Sequence, residues 1–218
     1  TNLSLNPFSF PYETRVEAIS SLSLDVECLK SLDETIDAFF AEYERTNRAE
    51  LFEGLCPYFG VPWPAGLALA KLIDEEAEKW RGREVLEIGC GLALPSLVLS
   101  RAGALVTATD LHPDVPHFLD RNRVRNRIPG PDFLFLDWRL DRSLPPAELI
   151  LGSDIVYDRQ QPVQIVKFLL SFSSWREAIF TDPGRPDWGV FVSALREQGW
   201  KMEERDRKST RLNSSHVA

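Results

Sequence analysis

No stretch of this chain restricts its fold more than Glu84 to Pro95, Glu-Val-Leu-Glu-Ile-Gly-Cys-Gly-Leu-Ala-Leu-Pro. A short apolar run bounded by glycines predicts a buried strand, a turn at Gly89 and Gly91, and then a helix. A second apolar run, Ala104 to Thr109, ends in Asp110 and completes a βαβ unit. The glycines let backbone approach a ligand, and Asp110 stands where a carboxylate accepts hydrogen bonds from ribose hydroxyls. Two glycines at such a turn also arise from chain geometry alone, and only further detail of the turn distinguishes one ligand from another.

That detail lies in the turn itself. A dinucleotide fold calls for a third glycine at position 94, and Leu94 stands there instead. Glu87, two residues before Gly89, would repel a pyrophosphate and attract an ammonium group. A ligand with a ribose and a positive charge but no phosphates fits these features, and S-adenosyl-L-methionine has them. At this point the sequence resembles the class I methyltransferases, in which an acid-x-Gly-x-Gly turn cradles the amino acid end of that cofactor and the acid after the second strand binds its ribose.

Apolar strands are predicted at 84–88, 104–109, 132–136, 148–153 and 177–181, alternating with helices near 94–102, 114–126, 160–172 and 187–198. This alternation means an α/β fold, a Rossmann-like, doubly wound, mostly parallel sheet of the class I methyltransferase type. Ahead of it, residues 1–60 are expected to form an N-terminal helical extension. Val26, Leu29, Leu32, Ile36, Phe39, Phe40 and Tyr43 sit near helical spacing over 24–47. Pro57 to Pro64, Pro-Tyr-Phe-Gly-Val-Pro-Trp-Pro, reads as a rigid loop before a helix over 65–80. The cofactor-binding domain is assigned to 61–207. Residues 208–218 break in composition from what precedes them and are read as a non-native tail. On that reading the last strand of the sheet is missing and the C-terminal strand pair incomplete. Thr1 is not a start methionine and Met202 is the single Met, so the natural N-terminus is expected to lie elsewhere.

A net charge of −8 argues against a general nucleic acid partner, which needs a basic surface. Arg121, Arg123, Arg125 and Arg127 form i,i+4 pairs on different helix faces and read as a solvated surface. Cys28, Cys56 and Cys90 are odd in number and lack metal-ligand spacing, which suits a reduced, cytoplasmic protein with no metal site. No apolar run approaches the roughly 20 residues that cross a bilayer, so no membrane partner is expected.

In doubly wound sheets ligands bind beyond the carboxyl ends of the strands. Leu134-Phe-Leu-Asp-Trp-Arg139 places Asp137 and Trp138 there, an acceptor and a flat wall for a purine, or a plain core cap. Leu149-Ile-Leu-Gly-Ser-Asp-Ile-Val-Tyr157 places Asp154 and Tyr157 there, an acceptor pair suited to an incoming amine, or a plain strand end with a helix N-cap. This Asp-x-x-Tyr arrangement, with Pro62-Trp-Pro64 and Asp137-Trp138, resembles the seven-strand protein lysine methyltransferases of methyltransferase family 16. Pro57 to Ala70 is similar to bacterial relatives of the electron-transfer-flavoprotein lysine methyltransferases.

Carried onto this sequence, the resemblance implies that Trp63, Glu87, Gly89, Cys90, Gly91, Asp110, Trp138 and Ser153 hold the cofactor and that Asp154 and Tyr157 face the acceptor. Ala93 and Leu94 stand where small residues or glycine are common in the family. The implied activity is methyl transfer to a lysine side chain of a protein substrate. The alternatives are a small-molecule or nucleic acid methyltransferase on the same fold and a catalytically silent cofactor-binding partner protein. Asp182-Pro-Gly-Arg-Pro186 is a gating loop or a plain turn, and His112 a base or a packing residue. The oligomeric state has no readable code.

Overall fold

Short apolar runs buried on both faces build the centre of the molecule. The computed structural model describes residues 11–46, 55–140, 143–207 and 212–217. Its main sheet comprises β3 (Glu84–Ile88), β4 (Leu105–Asp110), β5 (Asp132–Phe135), β6 (Leu149–Ser153), β7 (Glu177–Asp182), β8 (Met202–Arg207) and β9 (Leu212–Val217). The spatial order is β5-β4-β3-β6-β7-β9-β8. β3 to β7 are parallel, as the alternation of strands and helices predicts.

Strand periodicity sends alternate side chains to opposite layers. Val85, Leu149, Leu151 and Ile179 enter a core shared with α2 (Pro64–Glu75), α3 (Leu94–Ala102) and α4 (Val115–Arg125). Leu86, Ile150, Ala178 and Phe180 enter another, covered by α5 (Gln161–Ser171) and α6 (Trp188–Glu197). The chain reverses its direction of travel across the sheet between β3 and β6. That junction is the switch point, whose crevice receives ligands in folds of this kind.

Two expectations are corrected here. The helix expected over 24–47 begins at Leu32, as α1 (Leu32–Thr46), and residues 24–29 form β2, paired antiparallel with β1 (Thr14–Ile19). The N-terminal extension is therefore a hairpin followed by a helix. Leu24, Val26 and Cys28 are buried while Asp25 points outward, a period of two that the helical spacing of the same residues masks. Ser31 marks the change, its Oγ accepting the Glu34 N–H at 3.3 Å as a helix cap.

The second correction concerns the C-terminus. Leu212–Val217 is a strand lying antiparallel between β7 and β8, so the strand pair is complete. A central slot can be filled by backbone hydrogen bonds on both sides whatever the composition, which is why a polar segment fits it.

The hairpin is fastened to α4 by side-chain bonds. Asn122, fully buried, accepts the Glu27 N–H at 2.7 Å and donates to the Glu27 carbonyl at 3.1 Å. Arg121 and Arg125 reach the Glu27 carboxylate at 3.1 and 3.4 Å, so half of the arginine run braces the hairpin. Asn122→Ala should lower stability by about 2 kcal/mol, since it leaves two backbone groups without partners. Denaturant unfolding with amide exchange at Glu27 checks this; an unchanged midpoint would contradict the brace. Among the described residues, no helix is long and apolar enough to cross a membrane.

Candidate functional site

Sheet register sets the site. Ile88 pairs with Thr109 on one side and with Gly152 on the other, and Ser153 pairs with Thr181. One residue further on, Gly89, Asp110, Ser153 and Thr181 therefore stand in a row along the carboxyl edge.

The glycine turn leaves β3 through left-handed backbone, with φ 61 at Gly89, 53 at Gly91 and 55 at Ala93. At Gly89 a Cβ would also lie 2.9 Å from Ile155 and 3.4 Å from the Trp138 ring, so only glycine fits there. Gly91 donates its N–H to Asp110 Oδ2 at 2.9 Å, and Asp110 Oδ1 accepts the His112 N–H at the same distance. Asp110 is thereby locked beside the turn with lone pairs left on both oxygens. Burial pushes its carboxyl group up from the ordinary range, opposed by these backbone donors.

Glu87 differs from expectation. It is fully buried, with Oε2 bonded to the Ser96 N–H at 3.1 Å and to the Ser96 hydroxyl, while Oε1 has no partner. Burial pushes its pKa up to about 8. The full negative charge expected to repel a pyrophosphate is thus largely withheld at neutral pH. The Cys90 thiol is likewise pushed up by burial and is no nucleophile.

A cap formed by the short 3-10 turn Pro57–Gly60 and the start of α2 covers this edge. The Phe59 carbonyl lies 3.1 Å from where a Gly91 Cβ would be, the Ser153 hydroxyl 3.4 Å from a Gly66 Cβ, and Thr181 donates to the Ala65 carbonyl at 3.0 Å. Trp63 is held half-buried by its indole N–H, which donates to the Tyr58 carbonyl at 2.8 Å. His112 has both ring nitrogens engaged, Nδ1 by the Asp114 N–H and Nε2 at the Leu55 carbonyl, with its ring 4.2 Å from that of Phe59. It is a packing residue. Asp137, offered from sequence as a purine acceptor, holds Arg139 at 2.7 Å.

After β6, Asp154 adopts φ 53, an uncommon conformation for a residue with a Cβ, and its N–H donates to the Thr181 carbonyl. Its buried carboxylate is gripped by Arg185, Nε on Oδ1 at 2.7 Å and Nη2 on Oδ2 at 3.0 Å. Tyr157 is 56% exposed, and its ring centre is 6.4 Å from that of Tyr58. Arg185 is the residue that sequence reasoning missed. The signal was its place in Asp182-Pro-Gly-Arg-Pro186, immediately past the strand neighbouring β6.

The family described as lysine methyltransferase matches residues 59–181. The rat histone-arginine methyltransferase METTL23 is 35% identical over 65% of this chain and 62% of its own length. The human electron transfer flavoprotein beta subunit lysine methyltransferase is 26% identical over 65% of this chain and 55% of its own length. The chain thus spans about three-fifths of the curated relatives it matches. Among solved structures, a TehB-like SAM-dependent methyltransferase from Corynebacterium glutamicum aligns with a TM-score of 0.57 at 16% identity, covering 84% of this chain and 98% of that one. Magnesium protoporphyrin IX methyltransferase from Synechocystis with bound SAM gives 0.52 at 16% identity, covering 87% and 98%. At such identities these two structures speak to the fold alone.

Proposed function

Since this chain belongs to the lysine methyltransferase family, we propose that it transfers a methyl group from S-adenosyl-L-methionine to a lysine side chain of a protein substrate. The observation that carries this reading is the single row of Gly89, Asp110 and Ser153 at the switch point, with Asp154 next along. Cofactor and acceptor groups would then meet at one edge.

The residues present fit such a cofactor. The left-handed turn exposes backbone, Asp110 keeps free lone pairs, and Glu87 Oε1 is a buried oxygen without a hydrogen-bond partner. Glu87, Gly89, Cys90 and Gly91 would hold the methionine end, Asp110 the ribose and Trp138 the adenine, with Trp63 and Ser153 closing the site. When bound, the cofactor supplies a methyl group made electrophilic by its sulfonium. The rest of the task is positioning: the acceptor nitrogen must come within about 3 to 3.5 Å of the reacting carbon. Holding a lysine neutral at pH 7 costs about 4.6 kcal/mol from its reference pKa. Tyr157 and Tyr58, both exposed, stand at the mouth of the site, with ring centres 6.4 Å apart. Three free cysteines suit a reducing, cytoplasmic setting.

Incubation with tritiated S-adenosylmethionine and lysate, followed by acid hydrolysis, should place label in methyllysine. Label in methylarginine, nucleic acid or a small molecule would overturn the lysine reading, and cofactor binding without label would leave a silent binder. Asp110→Ala should weaken S-adenosylhomocysteine by about 1.5 to 3 kcal/mol, the scale of a hydrogen bond to a charged group. Calorimetry showing no weakening would remove Asp110 from the ribose site.

A further inference from the structure

The acceptor carboxylate raises a chemical difficulty that a second residue answers. A bare carboxylate beside a lysine stabilises its ammonium form, whereas methyl transfer needs the free lone pair. Asp154 is not bare. Its buried carboxylate is closed by a bidentate guanidinium at 2.7 and 3.0 Å. The closing arm is built rather than incidental. Asp182 Oδ1 accepts the N–H groups of Gly184 and Arg185 at 2.7 and 2.6 Å, and the Arg185 carbonyl accepts the Trp188 N–H at the start of α6. Arg185 is thus fixed on both sides of its own peptide, and Asp154 is fixed by its bond to the Thr181 carbonyl.

We propose that Arg185 is a positioning residue for the acceptor: by keeping Asp154 closed in an ion pair, it makes the pocket receive the amine in its neutral form. This rests on the methyltransferase reading above and adds the protonation state that the site selects.

The groups around the site are mostly carboxylates, so the selection rests on the guanidinium being the nearest charge to the amine. From the loop after β6 come Asp154, Asp158 and Tyr157; from the loop after β7, Asp182 and Arg185; from the cap, Tyr58 and Cys56; and from the end of β4, Asp110. Asp182 is fully buried, and its bonded oxygen is shielded by two peptide N–H groups. An amine arriving at Asp154 therefore meets a paired carboxylate with a fixed guanidinium beside it, and a cationic neighbour disfavours a second cation.

Two small amines of similar shape test this near neutral pH, with S-adenosylhomocysteine saturating the protein: ethylamine, which is charged there, and trifluoroethylamine, which is neutral. Binding is followed by nuclear magnetic resonance. The wild-type protein should prefer the neutral amine by about tenfold, Arg185→Lys should keep that order, and Arg185→Gln should reverse it. A merely structural role for Arg185 would change both affinities alike. The wild-type preference stands as a test by itself if Arg185→Gln does not fold. Preference for the charged amine in the wild type, equal effects on both amines, or no binding of either overturns the inference. Failure of S-adenosylhomocysteine to bind at all overturns the methyltransferase reading as well, which separates the two.

Discussion

Asp154→Asn should reduce methyl transfer by about a hundredfold or more while leaving S-adenosylhomocysteine affinity within a few fold. Asparagine is the informative replacement because it keeps the shape and tolerates the left-handed backbone that Asp154 occupies at φ 53. It removes the charge that fixes Arg185, so the guanidinium is free to leave its position and the acceptor loses its alignment. A loss of alignment near 1 Å is enough for an effect of this size. The groups proposed to hold the cofactor on the β3 and β4 side should be untouched, since Gly91 and Asp110 bond to each other and not to Asp154. Single-turnover transfer from tritiated cofactor, paired with calorimetry, decides the matter. If affinity for the cofactor is lost along with transfer, Asp154 belongs to the cofactor site.

The second large effect is one of pH on stability, set by Glu87. Its carboxyl group shifts from an ordinary value of 4.5 to about 8 because it is buried with one oxygen unpaired. Between those values the unfolded chain has released the proton and the folded chain retains it. The folded state then binds more protons, so stability falls as pH rises through this window and levels off above it. At 1.36 kcal/mol per unit the fall is on the order of 5 kcal/mol. Asp110 and Asp182, also raised by burial, act in the same direction. Glu87→Gln has no proton to lose. Its stability relative to wild type should be near zero at pH 4.5 and grow toward pH 8 in urea unfolding series. Parallel profiles for the two proteins would show that Glu87 ionises normally.

The parallel strands and the helices between them are legible in the sequence because burial on both faces writes continuous apolar runs, as in Leu149-Ile-Leu-Gly-Ser153. The carboxyl-edge row follows from those strands, since β4 ends in Asp110, β6 ends in Ser153 and Gly89 directly follows β3. What was not legible has definite causes. Residues 24–29 satisfy helical and strand periods together, and only tertiary burial chooses between them. β9 owes its place to backbone pairing, to which composition is a poor guide. Glu87 shares a strand face with Val85, two residues earlier, so period two implies its burial, while its residue type points to an exposed charge. Arg185 pairs with a residue 31 positions away, across neighbouring loops whose separation no local pattern records.

The proposed function requires that a nucleoside clamp and an amine receptor share one chamber at the junction of β3 and β6. A crystal structure with bound S-adenosylmethionine tests it directly. Adenine should lie against Trp138, ribose hydroxyls on Asp110, and the methyl group should aim at the opening between Asp154 and Tyr157. A cofactor seated elsewhere, or one whose methyl group points away from Asp154, would contradict it.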